Sequence, residues 1–242
     1  MIACYDLQHR LPTFDFCCWL THVRLLGATE ITFDLGDKFF LRKKWSPEDT
    51  LRRLENCLKP ACALADLPWR MGTDGDHEIG SHLHQVFWRD VQANGGSFPL
   101  LRTVLPLAGD RFTVTMRQTF WRRERNSDPN VWHEFARRIG ARVFEDYDTK
   151  STPLHERVAS YAGARMNYGV PTGPLSLCFW TNYPLTQFCD PELFAKPWAA
   201  QGVPVNGQVP WFLPNQQLVW EKPTMDNLMR EFDRMANERV LA

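Results

Sequence analysis

Asn167-Tyr168-Gly169-Val170-Pro171-Thr172-Gly173-Pro174 sits inside a run, residues 112–188, that reads strand, helix, strand, helix, strand, glycine-rich turn, helix, strand. Strand–helix units repeated with so little slack imply a parallel sheet with right-handed crossovers. A strand that hands over to a helix start through such a turn is how an open α/β domain offers backbone N–H groups to a phosphate. A nucleotide-type ligand is therefore expected before any catalytic residue is named.

Within the run, residues 112–116 alternate as a strand, and Asp128-Pro129 is a helix start. That helix carries Val131, Trp132, Phe135, Ala136 and Ile139 on one face and closes at Gly140. Residues 142–145 form the next strand. Thr152-Pro153 opens a helix through Tyr161, with Leu154, Val158, Tyr161 and Ala162 inward. Residues 164–167 are a strand, 174–180 a short apolar helix and 185–188 a strand. Residues 189–217, rich in Pro, Gly and Asn, read as an extended loop. A last strand over 217–220 and an amphipathic helix over 224–238, with Leu228, Phe232 and Met235 inward, complete the chain.

Before the run, residues 2–7 read as a strand and 12–26 as a helix with Phe16, Leu20, Val23 and Leu26 on one face. Thr13 is its expected cap and Gly27 its stop. Residues 29–35 are a second strand, and 37–44 a basic, exposed connection. Ser46-Pro47-Glu48-Asp49 is a strong helix start, running to about residue 58 ahead of Pro60. Residues 66–82 read as loop, residues 86–91 fit a strand or a short helix equally, and Gly95-Gly96-Ser97 is loop. Residues 106–110 are the expected domain boundary.

The 242 residues suit one large domain or two small ones, and 44% hydrophobic content supports a real core. Net charge is zero, so nothing favours sequence-independent nucleic-acid binding. No long uninterrupted apolar window predicts a membrane span, and the N-terminus reads as a strand rather than a signal peptide. Seven cysteines without a CxxC read as buried reduced thiols of a cytoplasmic protein. There is no P-loop, no G-x-S-x-G elbow and no G-x-G-x-x-G fingerprint, which argues against a P-loop NTPase, an α/β-hydrolase and a standard dinucleotide dehydrogenase. His77-Glu78, His82 and His84 lack the H-E-x-x-H spacing, so no metal is expected.

The polar candidates cluster after strands. Arg117, Arg122, Arg123 and Arg125 lead into Asn126-Ser127, and guanidinium forks suit phosphate oxygens. Asp146 and Asp148 follow the next strand, and a carboxylate there can hold ribose hydroxyls; Glu156 opens the next helix. Asp6, His9, Asp15 and His22 flank the first strand and helix, any one of them a possible general base.

These residues resemble the C-terminal nucleotide-sugar domain of GT-B glycosyltransferases. The resemblance is carried by Met116-Arg117, Arg125-Asn126-Ser127, Trp132, Phe135, Asp146, Glu156-Arg157, Tyr161-Ala162 and Asn167-x-Gly169-x-x-x-Gly173-Pro174. The first half, with Tyr5-Asp6-Leu7 and Pro12-Thr13-Phe14-Asp15-Phe16, is similar to the acceptor domain of small proteins of this kind. The resemblance implies an α/β fold of two Rossmann-like domains with mostly parallel sheets facing a cleft. The implied domains are residues 1–108 for the acceptor, 109–220 for the nucleotide sugar, and 221–242 as a terminal helix packing back on the first. It implies metal-independent transfer of a sugar from a nucleotide-diphosphate sugar, bound as co-substrate with no tightly held cofactor, to a glycan or other hydroxyl acceptor. Asp15 or Asp6 would be the base. Arg117, Arg125, Asn126, Ser127, Asp146, Glu156, Asn167, Gly169, Gly173, Pro174 and Leu175 would hold the donor. Two rivals stay open. One is epimerisation or hydrolysis of a sugar nucleotide. The other is a non-catalytic assembly protein whose Trp198, Trp211 and Trp220 mark a partner surface, with a homo-oligomer or protein partner.

Overall fold

The computed structural model describes residues 1–10, 12–36, 46–102, 111–120, 122–147 and 152–238. The connection at 37–44, the boundary at 106–110 and Asp148 lie outside the described residues. The chain divides into two units. The first is Met1–Leu105 with Pro153–Ala159 and Ser176–Asn182; the second is Pro106–Thr152 with Ser160–Leu175 and Tyr183–Ala242. Each carries its own parallel sheet, as the α/β reading expects.

In the first unit, β1 (Ile2–Asp6), β2 (Glu30–Asp34) and β3 (Trp69–Met71) pair in parallel in that order. Alternation along β1 and β2 sends Ala3, Tyr5, Ile31 and Phe33 to one face. There Tyr5 meets Phe16 and Trp19 of α1 (Asp15–Leu25) edge-on, with ring centroids 4.7 and 4.9 Å away. Helix α1 starts later than its apolar pattern predicts, and Phe14 occupies the cap position without a side-chain bond. The Thr13 hydroxyl donates to the Asp15 carboxylate instead, so it does not cap the backbone. Leu26, expected inward, is exposed beyond the helix end, where Gly27 turns the chain at φ +91°.

Ser46 caps α2 (Pro47–Arg53) by accepting the Asp49 N–H, as its motif predicts. The helix does not stop before Pro60. A π-turn at Leu54–Leu58 resets the hydrogen-bond ladder, and α3 (Lys59–Leu64) follows with Pro60 in its first turn, where a missing N–H is harmless. Buried Leu54, Leu58, Ala61 and Cys62 keep the chain helical through the proline. The expected loop 66–82 contains β3, which finds a partner in β2 that local propensity cannot reveal. The ambiguous stretch at 86–91 is helical, within α4 (His84–Ala93), and buries Phe87 and Val91 four residues apart. His22 is buried, and both of its ring nitrogens are engaged by the protein. Its Nδ1 accepts the Ser81 N–H at 3.0 Å, so Nε2 carries the proton and donates to Asp90 at 2.9 Å.

In the second unit, β4 (Arg111–Gln118), β5 (Arg142–Tyr147), β6 (Ala164–Gly169), β7 (Leu185–Phe188) and β8 (Gln216–Val219) lie parallel in the order β5-β4-β6-β7-β8. Helix α5 (Pro129–Ile139) is capped by Asp128, which accepts the Asn130 N–H, and ends at Gly140, φ +65°. Its Trp132 and Phe135 pack on Phe188 and Tyr168. Helix α6 (Leu154–Ala162) brings Tyr161 to Phe144 of β5, on the opposite face. The expected loop 189–217 contains α7 (Pro191–Ala199), opened by the same Asp-Pro device as α5: Asp190 accepts the Glu192 N–H. Phe232 of α8 (Met225–Glu238) meets Phe112 and Phe135, which seats the terminal helix on this unit's own sheet. Trp198, Trp211 and Trp220 are buried, so they mark no exposed partner surface. All seven cysteines are buried, and none forms a disulfide. No described helix is long and apolar enough to cross a membrane.

One buried ring makes stability depend on pH. His84 packs against Phe179 and Trp180 of the first unit, and burial of its ring, with His82 adding, lowers its pKa from 6.5 to about 4. The unfolded chain therefore takes up a proton first. The stability this neutral ring contributes is complete above pH 6.5 and is lost as pH falls through 4. The unfolding free energy from urea titrations should decline across that window by roughly 3 kcal/mol, and His84→Gln should flatten the decline.

Candidate functional site

The strand order of the second unit locates its site. From β4 the chain crosses to β5 on one side, then returns past β4 to β6 on the other. The order reverses between β4 and β6, and ligands of open α/β sheets bind at the carboxyl ends of strands at such a reversal. Parallel register places Arg117 opposite Asp146, Thr115 opposite Gly169, and Gly169 opposite Gln187. Registered partners share a face. Arg117, Asp146, Gly169 and Gln187 thus line one face of the sheet at its carboxyl edge.

Arg117 is held by the turn that follows it. Its N–H donates to the Ser127 hydroxyl at 3.0 Å, and its carbonyl accepts the Ser127 N–H. Its Nη1 donates to the Asn126 side-chain oxygen at 2.6 Å and to the Arg122 carbonyl at 2.9 Å. The Asn126 amide spans back to both the N–H and the carbonyl of Thr119. Asn126 and Ser127, expected as ligand contacts, form a buckle that positions Arg117. Arg125 lies over the Phe194 ring at 5.6 Å; partial burial, and Arg122 nearby, lower its pKa. Asp146 is buried and accepts the Thr172 hydroxyl at 3.4 Å, so the strand-end acid and the turn after β6 meet.

Asn167 is fully buried and braces the sheet. Its oxygen accepts the Thr113 hydroxyl at 2.6 Å, and its amide donates to the carbonyls of Tyr161 and Pro184. Those bonds occupy it away from a ligand. Gly169 is required by contact rather than by a left-handed backbone. A Cβ there would lie 2.6 Å from the Thr115 carbonyl oxygen and 3.0 Å from Leu175. Gly173 is exposed, while Pro174 and Leu175 are buried. The segment they open, Pro174–Trp180, is a 3-10 helix of seven residues, too short for the developed dipole expected at this position. Glu156 is exposed and falls in the first unit's share of the chain.

Gln187 was not singled out in the sequence. It is fully buried, and among the described residues neither its amide nitrogen nor its oxygen has a hydrogen-bond partner. Leaving such atoms unpaired costs about 1–3 kcal/mol per group, so Gln187 stands apart from the satisfied polar side chains of the sheet. The available signal was the break it makes in the run Leu185-Thr186-Gln187-Phe188.

In the first unit, Asp6 ends β1. Its Oδ1 accepts the Gln8 N–H at 2.7 Å and its Oδ2 pairs with Nδ1 of His9 at 2.5 Å. Burial alone would raise the Asp6 pKa; the His9 and Gln8 hydrogen bonds outweigh it and hold the carboxyl below its ordinary value. The His9 side chain is 81% exposed. Asp15 is exposed in the first turn of α1. The structure therefore couples Asp6 to His9, an imidazole whose outer nitrogen faces outward, which is the arrangement of a base with its orienting carboxylate.

No protein-family model matches the chain, and no curated protein is significantly similar to it. A search of solved structures finds likeness to the crystal structure of the bacterial iron-containing dodecameric glycosyltransferase TibC from enterotoxigenic E. coli H10407. The alignment covers 93% of this chain at 13% identity with a TM-score of 0.47, and this chain spans 64% of that protein's length.

Gly169→Ala should lower the unfolding free energy by about 1–3 kcal/mol, because the obstructing atom is backbone of β4. Chemical denaturation of the two proteins measures it.

Proposed function

We propose that this protein transfers a sugar from a nucleotide-diphosphate sugar to a hydroxyl acceptor. The observation that carries the reading is the row of Asp146, Arg117, Gly169 and the unpartnered buried Gln187 at the order reversal of a five-stranded parallel sheet. Arg117, fixed by its buckle, supplies the positive charge that a departing diphosphate needs. That role does not call for a metal at the donor site. Gln187 carries an amide NH₂ with two donors and a carbonyl acceptor, which together complement a nucleobase edge. Asp146 with Thr172 suits the ribose.

In the first unit His9 serves as base for the acceptor, and Asp6 is its positioning carboxylate. In the reaction a base takes the acceptor hydroxyl proton, the acceptor oxygen bonds to the anomeric carbon, and the bond from that carbon to the diphosphate oxygen breaks. The nucleoside diphosphate leaves with the electron pair, its charge offset by Arg117.

A thermal-shift screen against UDP, GDP, ADP, CMP and their sugar conjugates tests the donor site. A cognate ligand at about 100 times its Kd should add roughly 2.7 kcal/mol. Arg117→Ala should weaken that ligand by about 10- to 100-fold, the loss of a hydrogen bond to a charged group. His9→Ala should keep the shift and lose about 10²- to 10⁴-fold in transfer rate. A folded protein that responds to no nucleotide, or an Arg117→Ala variant that binds as before, ends this reading. Donor turnover without any acceptor would point to hydrolysis or epimerisation instead.

A further inference from the structure

We infer that the first unit holds a zinc-type divalent cation between Cys4, Asp34 and His77. One ligand atom from each residue lies within 4.8 Å of the other two. The three come from different places: Cys4 from the middle of β1, Asp34 from the end of β2, and His77 from the loop after β3. The loop is fixed over the strands. Its Asp76 exchanges backbone hydrogen bonds with Ile2 and Cys4 at 3.0 and 2.9 Å. Gly75 lies so close that a Cβ would sit 2.7 Å from the Thr32 hydroxyl and 2.9 Å from Cys4.

Each ligand is already aimed. The Thr73 carbonyl can only accept, so its 3.1 Å contact with His77 places the proton on Nε2 and leaves the lone pair on Nδ1. A metal-bound imidazole is oriented in this way by a carbonyl at its other nitrogen. Asp34 is held through one oxygen, which accepts the Gly36 N–H at 2.8 Å. Among the described residues no cation pairs with it, although it is only 7% exposed. Buried charges are paired or coordinate metals. Cys4 is fully buried, and its thiol lies against the buried Thr32 hydroxyl.

Ligand chemistry selects the ion. A thiolate excludes magnesium and calcium, and a sulfur, nitrogen and oxygen set suits zinc. A thiolate, a carboxylate and a neutral imidazole carry two negative charges, which a divalent cation cancels in a buried place. Zinc draws its ligands to about 2.0–2.3 Å, a closure of the order of 1 Å for atoms as near as these. Binding releases the Cys4 proton as the metal–sulfur bond forms. The ion would tie the loop after β3 to β1 and β2. This site is independent of the donor reading, and its probe is a metal alone.

The test strips the full chain with a chelator, reloads it with zinc, removes the excess and counts the metal. One equivalent of zinc, a raised melting temperature and, with cobalt(II), a thiolate charge-transfer band are expected. His77→Ala should weaken zinc by at least about 10-fold, and Cys4→Ser should abolish the cobalt band. Should Cys4→Ser fail to fold, Asp34→Asn carries the same test through zinc affinity. Well under one equivalent in the parent protein overturns the assignment. So does undiminished zinc in His77→Ala, which would place any metal elsewhere.

Discussion

The second unit is organised by the position of β4, which is hydrogen-bonded along both edges, to β5 and to β6. A strand so placed has no free edge, and successive right-handed crossovers to either side of it must leave by opposite faces. Helix α5 therefore covers the face of Tyr168 and Phe188, and α6 brings Tyr161 to the face of Thr115 and Phe144. The helices diverge at the carboxyl end of β4. What stands there is Arg117, and its placement follows from sheet topology before any ligand is considered.

Order at that edge is maintained by bonds that are not themselves available for recognition. Asn126, Ser127 and Asn167 use their polar atoms to hold backbone, and the buried pairs Thr113–Asn167 and Thr115–Tyr161 lock β4 to its neighbours at 2.6 Å each. Satisfied buried polar networks rigidify a sheet and specify its register. Against this background Gln187 differs in kind. It is as buried as Asn167, yet among the described residues its amide finds no hydrogen-bond partner. Rigid support beneath an unmet group is what preorganises a binding site.

Much of this was legible in the amino-acid order. The caps at Ser46 and Asp128, the stop glycines 27 and 140, and the strand Leu185–Phe188 all stand where their local signals put them. Such devices act within a turn or two of their own residue. The failures are those in which a distant partner overrides local preference. Trp69–Met71 is a strand because β2 offers an edge. The chain stays helical through Pro60 because a π-turn and buried Leu58 and Cys62 outweigh it. Helix α7 hid within a composition rich in Pro, Gly and Asn although Asp190-Pro191 announced it.

The order of residues by itself determined the alternating α/β class, the apolar faces of the helices, and that Arg117, Asp146 and Gly169 follow or end strands. Those properties depend on periodicity and on caps, which are local. Only the tertiary structure decided which of these residues share a face, because register sets Arg117 beside Asp146 and Gly169 beside Gln187. It likewise joined Asp6 to His9, and gathered Cys4, Asp34 and His77 from three separate segments. Burial and pairing are properties of neighbours in space, and a polar residue's role depends on which of its bonds those neighbours leave open.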